Sequence, residues 1–415
     1  MNAVHRRTQD LSITEHRLTV PLVWSDAADQ RTIEIFASIV ARPGGEHLPY
    51  LVFLQGGPGS EAPRAFHTPT SPSWLDAALE HHRVVMLDQR GTGRSTPVGD
   101  GILSRGAEAV AEHLTHLRAD SIVRDAEALR AHLGVDRWSL LGQSFGGFTT
   151  LAYLSTDADS LEQVFITGGL STIDRHPDEV YRLCYDKMRD ASERYYWRFP
   201  EHRDRMRRLT DLAAAGRIAL PSGEVLSVSR LRSAGSMLGT NDGWQTLWAL
   251  LEHEPETNAF RYDLQAAMPF GGRNPLYFVF HESSYASGHA TRWSAQRMEP
   301  AEFAADPTLF TGEHIRREWT ETVPAFQPWR DVALALAEHE WPKIYDAAAI
   351  AASGATGAAA VYLNDVYVPF EYSMETAQLL PGVRTWVTSE HEHNGLRSGP
   401  VLSRLFDLAA GRAAR

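Results

Sequence analysis

The feature that most constrains the fold of this 415-residue chain is a glycine-rich turn between a short apolar run and a helical stretch. Residues 138–141 have the character of a buried strand, the turn reads Gly142-Gln-Ser-Phe-Gly-Gly, and residues 148–154 continue as a helix. This pattern is G-x-S-x-G, in which glycines leave room for a sharp turn that projects the serine. It predicts Ser144 as a nucleophile and the N–H of Phe145 as an oxyanion donor. The alternative is a glycine-rich turn with a surface serine.

The segments around this turn alternate between strand and helix patterns. Helical periodicity covers 120–133, and strand patterns cover 16–24, 32–41, 49–54, 83–88, 163–167, 358–363 and 383–388. A last helix is predicted at about 400–410. Strands that alternate with helices indicate an α/β fold with a mostly parallel sheet covered on both faces.

Strand signals are sparse between about residues 171 and 335. In this region 180–199, 203–215 and 241–252 have helical patterns instead. The sequence therefore predicts two domains. Residues 1–170 and 336–415 form the α/β domain, and a mainly helical cap, residues 171–335, is inserted into it.

A serine nucleophile needs a base, and the base needs a carboxylate that orients it. In folds with the G-x-S-x-G turn, the acid and then the histidine follow the serine along the chain. Asp365 follows the strand pattern at 358–363, and His393 follows the one at 383–388. Both would lie at carboxyl ends of strands, where such sheets place their sites, so we predict Asp365 as the acid and His393 as the base. The alternatives are His391 as the base and Asp346 or Glu390 as the acid.

Two further loops follow predicted strands. Gln55-Gly-Gly-Pro-Gly allows close backbone approach, and the N–H of Gly57 is the predicted second oxyanion donor; an ordinary turn is the alternative. The loop that begins Asp88-Gln-Arg-Gly-Thr-Gly-Arg-Ser lacks the G-x-x-x-x-G-K-S/T phosphate-binding pattern. We expect Asp88 and Arg90 to pair with each other in a structural role.

Composition and motifs exclude several classes of function. The net charge of −12 disfavours nucleic acid and anionic membranes as partners. A single cysteine, Cys184, allows no disulfide within the chain. The sequence has neither an apolar run long enough to span a membrane nor a signal-peptide core, so a cytoplasmic protein is expected. No metal or cofactor is predicted, because H-E-x-x-H, paired Cys/His ligand spacing and a dinucleotide-binding G-x-G-x-x-G are absent.

Taken together, the three glycine-rich motifs resemble those of the proline iminopeptidases. Tyr362-Leu-Asn-Asp-Val-Tyr-Val and Glu392-His-Asn-Gly-Leu resemble the acid and histidine segments of the larger bacterial members, and the resemblance runs from about residue 32 to the end of the chain. It implies an α/β-hydrolase fold and a serine aminopeptidase that releases N-terminal proline from small peptides with a free N-terminus. An esterase or amidase that acts on small non-peptide substrates is the alternative. One departure is Gln55, which stands where the family usually has histidine.

The resemblance also implies that the cap recognises the free amine of the substrate. A buried protonated amine needs a carboxylate partner, and the family's cap acids predict Glu252 and Glu282 for this role. The alternative is that both are solvated or salt-bridged surface acids. Trp244, Trp248 and Tyr285 are candidates for an apolar proline pocket, although such residues more often pack a helical core.

Overall fold

The computed structural model describes residues 4–8, 10–65 and 73–413. Within this part of the chain, nine strands form one sheet. In chain order the strands are β1 (Val4–Arg7), β2 (Ser12–Pro21), β3 (Thr32–Ala41), β4 (Tyr50–Leu54), β5 (Arg83–Asp88), β6 (Trp138–Gln143), β7 (Leu161–Thr167), β8 (Gly357–Tyr362) and β9 (Val383–Thr388).

The described α-helices fall into three groups along the chain. Before and between the central strands lie α1 (Trp74–Leu79), α2 (Ala107–Thr115), α3 (Ala119–His132) and α4 (Phe145–Thr156). Between β7 and β8 lie α5 (Pro177–Arg198), α6 (Glu201–Ala214), α7 (Val228–Arg232), α8 (Gly243–Leu251), α9 (Asn258–Ala267), α10 (Pro275–Phe280), α11 (Ser294–Arg297), α12 (Ala301–Ala305), α13 (Trp319–Thr322), α14 (Arg330–Glu338) and α15 (Ala347–Ala352). The last are α16 (Phe370–Ala377), α17 (Gly395–Ser398) and α18 (Val401–Ala409), and short 3₁₀ helices cover Asp100–Arg105, Ala158–Ser160, Ser233–Gly239, Glu282–Tyr285 and Gln327–Trp329.

The order of strands across the sheet is β1-β2-β3-β5-β4-β6-β7-β8-β9. The β1-β2-β3-β5 side pairs antiparallel, and every pair from β5 through β4 to β9 is parallel. All residues of β4, β6 and β8 are buried, as expected when helices cover both faces of a parallel sheet. Because β4 and β6 are neighbours, with Leu54 opposite Gly142, the loops that follow them meet at one edge of the sheet.

The predicted elements of the sheet agree with the structure in most of their bounds. The pattern at 32–41 coincides with β3, and those at 83–88 and 383–388 coincide with β5 and β9. The strand predicted at 16–24 instead begins at Ser12 and pairs with β3 residue by residue up to Pro21. The first residues of β2 pair with β1 at the edge of the sheet, where β1 is exposed and β2 is only partly buried. Because these residues are held by backbone pairing, they show no strong apolar pattern in the sequence.

The segment between β7 and β8 is helical, apart from one isolated bridge between Ala219 and Val225 among its described residues. Its later part shares an apolar core with the sheet domain, because Phe278, Trp319 and Trp329 belong to the same buried cluster as Ile35 and Leu114. The division into an α/β domain and a cap at 171–335 stays a prediction. Residues 1–3, 9, 66–72 and 414–415 of the predicted α/β domain lie outside the described residues. In the described part of the chain, no helix is long and apolar enough to cross a membrane.

Candidate active site

Ser144 lies in the turn between β6 and α4, in a backbone conformation that only a tightly constrained turn maintains. Its φ and ψ angles are 56° and −123°. A non-glycine residue held in such a region costs about 1–3 kcal/mol, so the surrounding structure must fix it. A Cβ atom on Gly146 would lie 1.9 Å from the carbonyl oxygen of Leu54, and one on Gly142 would lie 2.5 Å from that of Gly146. The two glycines of the motif are therefore required by the close approach of β4, β6 and α4.

The loop after β4 passes directly against the nucleophile turn. A Cβ atom on Gly56 would lie 3.0 Å from Ser144 Cβ, and Gly57 has a φ of 135°, which favours glycine. Phe145 is the first residue of α4, and the first N–H groups of a helix have no partner within it. The backbone of the β4 loop and the start of α4 thus lie on two sides of Ser144, an arrangement in which N–H groups can form an oxyanion site. The specific donors, Gly57 and Phe145, stay predictions.

Gln55, which departs from the family pattern, is held by two hydrogen bonds. Its carbonyl oxygen accepts from Gln89 Nε2 at 3.0 Å, and its Oε1 accepts from Arg397 Nη2 at 3.3 Å. The side chain is buried. The glutamine therefore anchors the start of the loop, although histidine is usual at this position.

Asp365 and His393 form a buried hydrogen-bonded pair at the ends of β8 and β9. The distance from His393 Nδ1 to Asp365 Oδ2 is 2.6 Å, and the other oxygen of Asp365 accepts from the N–H groups of Tyr367 and Val368 at 2.9 and 3.0 Å. Burial lowers the pKa of His393, but the charge and hydrogen bond of Asp365 outweigh it, so the pKa is raised above its ordinary value. The carboxylate thus fixes the imidazole ring and stabilises its protonated form.

The imidazole of His393 lies beside the strand end that carries the nucleophile turn. A Cβ atom on Gly168 would lie 3.0 Å from His393 Nδ1, and the preceding residue, Thr167, accepts the N–H of Ser144 at 3.0 Å. The structure therefore brings Ser144, Asp365 and His393 to the same edge of the sheet.

The alternative acids and base have other contacts. Asp346 caps α15 by accepting from Ala349 N–H at 3.0 Å. The ring of His391 packs against Gly399 and faces Trp386. The backbone of Glu390 bonds to Thr388 and Asn241. None of these contacts forms an acid–histidine pair like that of Asp365 and His393.

The predicted pairing of Asp88 with Arg90 is wrong. Asp88 pairs with Arg64 of the loop after β4, whereas Arg90 forms a buried pair with Asp125 of α3, with distances of 2.7 and 2.6 Å. Asp88 ends β5 at the edge where the β4 loop passes, and the next residues turn away toward α3. The two charges therefore tie different loops to the sheet, and Asp88 supports the loop that contains Gly57.

The predicted amine-binding acids do not contact the Asp365–His393 pair. Glu252 follows α8 and bonds to His202 Nε2 at 2.9 Å, with Arg205 at 3.7 Å and 40% of its side chain exposed. Glu282 is buried, and its two oxygens accept from the N–H groups of Ser294 and Ala295 at 3.1 and 2.8 Å. Burial raises the pKa of Glu282 to about 7. Its visible role is to cap the start of α11.

A third carboxylate, Glu313, was not singled out from the sequence. Its side chain accepts a hydrogen bond from Tyr277 Oη, and His281 Nε2 lies 3.7 Å away. Burial raises the pKa of Glu313 to about 7, and its charge interacts with those of His393 and Asp365. Glu313 lies outside any helix or strand, so no periodic pattern marks it. Its sequence neighbours, Gly312 and His314, form no specific motif with it either.

Two tyrosine side chains lie close to the histidine. The ring of Tyr367 lies edge-on to His393, with centroids 4.9 Å apart, and Tyr285 Oη donates to the carbonyl oxygen of Tyr367 at 3.0 Å. Tyr285 also packs against Phe148 of α4. Of the three predicted pocket aromatics, Tyr285 is therefore near the base. The other two pack between helices, since Trp244 contacts Tyr195 and Trp248 stacks on His202.

The chain is similar to several known proteins. A family model described as alpha/beta hydrolase fold matches residues 49–218. A proline iminopeptidase of Aeromonas sobria is 40% identical over 410 residues, which is 95% of each chain, and one of Aspergillus aculeatus is 29% identical over 96% of this chain and 94% of its own. A solved proline iminopeptidase-related protein of Thermus thermophilus is 17% identical, with a TM-score of 0.41, and covers 96% of this chain and 97% of its own. The predicted α/β-hydrolase fold is confirmed.

Proposed function

Because this chain belongs to the proline iminopeptidase family, we propose that it is a serine aminopeptidase that releases N-terminal proline from peptides. The observation that carries the proposal is the buried Asp365–His393 pair beside the turn of Ser144. An esterase or amidase would use the same three residues. Glu313 is a buried carboxylate whose charge interacts with that of the base, His393. Such a carboxylate favours a substrate with a free amine. A cytoplasmic location stays a prediction.

In the proposed mechanism, Ser144 Oγ attacks the carbonyl carbon of the N-terminal residue. His393 accepts the hydroxyl proton and then donates it to the leaving nitrogen, while Asp365 holds the ring and stabilises the imidazolium. The N–H groups of Gly57 and Phe145 stabilise the tetrahedral oxyanion. Water then attacks the acyl-enzyme with His393 again as the base, and proline is released.

We assign recognition of the amine to Glu313. A protonated amine that enters a closed site loses its water and needs a carboxylate in exchange. Glu313 is buried and partly satisfied by Tyr277, so a substrate cation would stabilise its ionised form. The roles predicted for Glu252 and Glu282 remain predictions, but they are less favoured because those carboxylates are engaged with His202 and with the start of α11.

A panel of aminoacyl arylamides with free Pro, Ala, Leu and N-blocked Pro tests the proposed function. Fast release of arylamine from free Pro alone is the expected result. Cleavage of all free-amine substrates would keep the aminopeptidase but exclude a proline-selective pocket. If none is cleaved while a fluorophosphonate probe still labels Ser144, the protein is an esterase or amidase instead.

Glu313→Gln is expected to lower kcat/KM for the prolyl arylamide about 100-fold, because the substrate amine would then be buried without its charge partner. The rate of fluorophosphonate labelling should change little, since that probe carries no amine. Glu252→Gln and Glu282→Gln are the matched controls and should each retain the free-amine preference. Loss of that preference in Glu282→Gln, with Glu313→Gln unaffected, would overturn the assignment and return it to the acid predicted from sequence.

The free-amine preference should also depend on pH. Glu313, with its pKa raised to about 7, binds a cation only when ionised, so the preference is present above that pH and is lost as the pH falls through it. His393 also titrates, and fluorophosphonate labelling, which needs the same base but no substrate amine, is the reference measured in each variant. We therefore expect the ratio of prolyl arylamide kcat/KM to labelling rate to fall on acidification below about pH 7 in the wild type. The same ratio should be flat in Glu313→Gln, and a parallel fall in that variant would contradict the assignment.

A further inference from the structure

Arg397 carries a positive charge that no carboxylate neutralises among the described residues. It lies in α17, four residues after His393, and its Nη2 donates to Gln55 Oε1 and Gln143 Oε1, both at 3.3 Å. Both acceptors are neutral amide oxygens. Loss of surrounding water lowers the pKa of the guanidinium, although the residue as a whole is exposed to solvent. An arginine in this setting keeps donors available for an anion from outside the chain.

The guanidinium is close to both the nucleophile and the base. Gln143 directly precedes Ser144, and a Cβ atom on Gly56 would lie 3.2 Å from Gln143 Oε1 and 3.0 Å from Ser144 Cβ. Arg397 therefore bonds to the side chain of the residue that directly precedes the nucleophile. The same positive charge also acts on His393 and lowers its pKa. The charge of Arg397 on α17 is therefore close to the base, His393.

We propose that Arg397 binds the C-terminal carboxylate of short peptide substrates, so that the enzyme prefers dipeptides and tripeptides. This inference rests on the proposed aminopeptidase function. The planar guanidinium matches a carboxylate with two parallel hydrogen bonds.

The position of the charge fits the direction of the leaving group. His393 must reach the leaving nitrogen to protonate it, so the departing peptide lies on the histidine side of Ser144. Each extended residue spans about 3.5 Å, so only a chain of one or two residues beyond the scissile bond would keep its carboxylate near Arg397. The protein has a net charge of −12, which repels an anionic peptide end at long range. A local cation beside the site offsets this repulsion where the carboxylate must lie.

A purely structural role for Arg397 makes a different prediction. If it only holds Gln55 and Gln143 in place, its removal would disturb the oxyanion loop and slow every substrate by the same factor. Recognition of a carboxylate would instead change one substrate relative to another that differs only in its C-terminal charge. A ratio of two substrates therefore separates the two roles, even where a variant is less stable.

The test compares Pro-Ala with Pro-Ala-amide, using wild type, Arg397→Gln and, as a matched control, Arg384→Gln at an exposed position of β9. The wild type and Arg384→Gln should prefer the free carboxylate about 10-fold or more in kcat/KM, as a charge-assisted hydrogen bond allows. In Arg397→Gln the ratio should fall to about one. The wild-type preference should also shrink as alanines are added to the peptide, because the carboxylate then extends beyond the guanidinium.

Two results would overturn the inference alone: a wild type that cleaves prolyl arylamide and both peptides without preferring the carboxylate, or an Arg397→Gln variant that keeps the wild-type ratio. The second includes the case in which both peptides slow equally, which would assign Arg397 to positioning of Gln55 and Gln143. A wild type that cleaves neither the peptides nor the prolyl arylamide would refute the proposed function itself, and this inference with it.

Discussion

Ser144→Ala is expected to reduce hydrolysis of prolyl arylamide about 10⁶-fold, because in the proposed mechanism the hydroxyl is the group that attacks the substrate. Alanine is a small L-residue, so it meets the same backbone constraint at φ 56° that serine meets. The turn is held by the hydrogen bond of the Ser144 N–H and by the close packing of the flanking glycines. It does not need the hydroxyl. The thermal unfolding temperature should therefore stay near that of the wild type.

The measurement combines arylamine release, labelling by a fluorophosphonate probe and thermal unfolding. Ser104→Ala, in an exposed 3₁₀ turn, is the control and should behave as the wild type in all three. Turnover by Ser144→Ala above about 1% of wild type would place the nucleophile elsewhere.

The central sheet could be predicted because short stretches of sequence specify its strands and turns. Strands buried on both faces are continuous apolar runs, and the turns that end β4 and β6 need glycine for close backbone approach. Asp365 and His393 could be predicted for a related reason: few acids and histidines follow the last two strands, and the carboxyl ends of parallel strands share one edge.

The charge pairs were less predictable because they depend on tertiary geometry. Asp88 and Arg90 are two residues apart in sequence, yet their side chains have different partners at the end of β5. Asp88 pairs with Arg64, and Arg90 pairs with Asp125. Glu313 is surrounded by Tyr277 and His281 of the α10 region, more than thirty residues earlier. Only the packing of the helical segment brings such groups together, so periodicity and motif spacing could not indicate that the charge of Glu313 would interact with those of Asp365 and His393.

Asp365→Asn is the second substitution with a large expected effect, a loss of about 10⁴-fold in kcat. Asp365 uses one oxygen to accept from the N–H groups of Tyr367 and Val368 and the other to accept from His393 Nδ1. An asparagine can keep its Oδ1 toward the backbone, so its amide group would face the imidazole. That group donates rather than accepts, and it forces the proton of neutral His393 onto Nε2. The base would then have no free lone pair for the proton of Ser144.

The same substitution removes the largest charge that raises the pKa of His393, so this pKa should fall below that in the wild type. The acidic limb of the pH profile of the remaining activity should shift to lower pH accordingly. Asp346→Asn and Glu390→Gln, the alternative acids, are matched controls that should stay within about threefold of the wild type, since neither side chain bonds to His393. A large loss in either control, with Asp365→Asn near wild type, would transfer the orienting role to that acid. A 10⁴-fold loss in Asp365→Asn without a shift of the acidic limb would mean that the carboxylate orients the ring but does not set its charge.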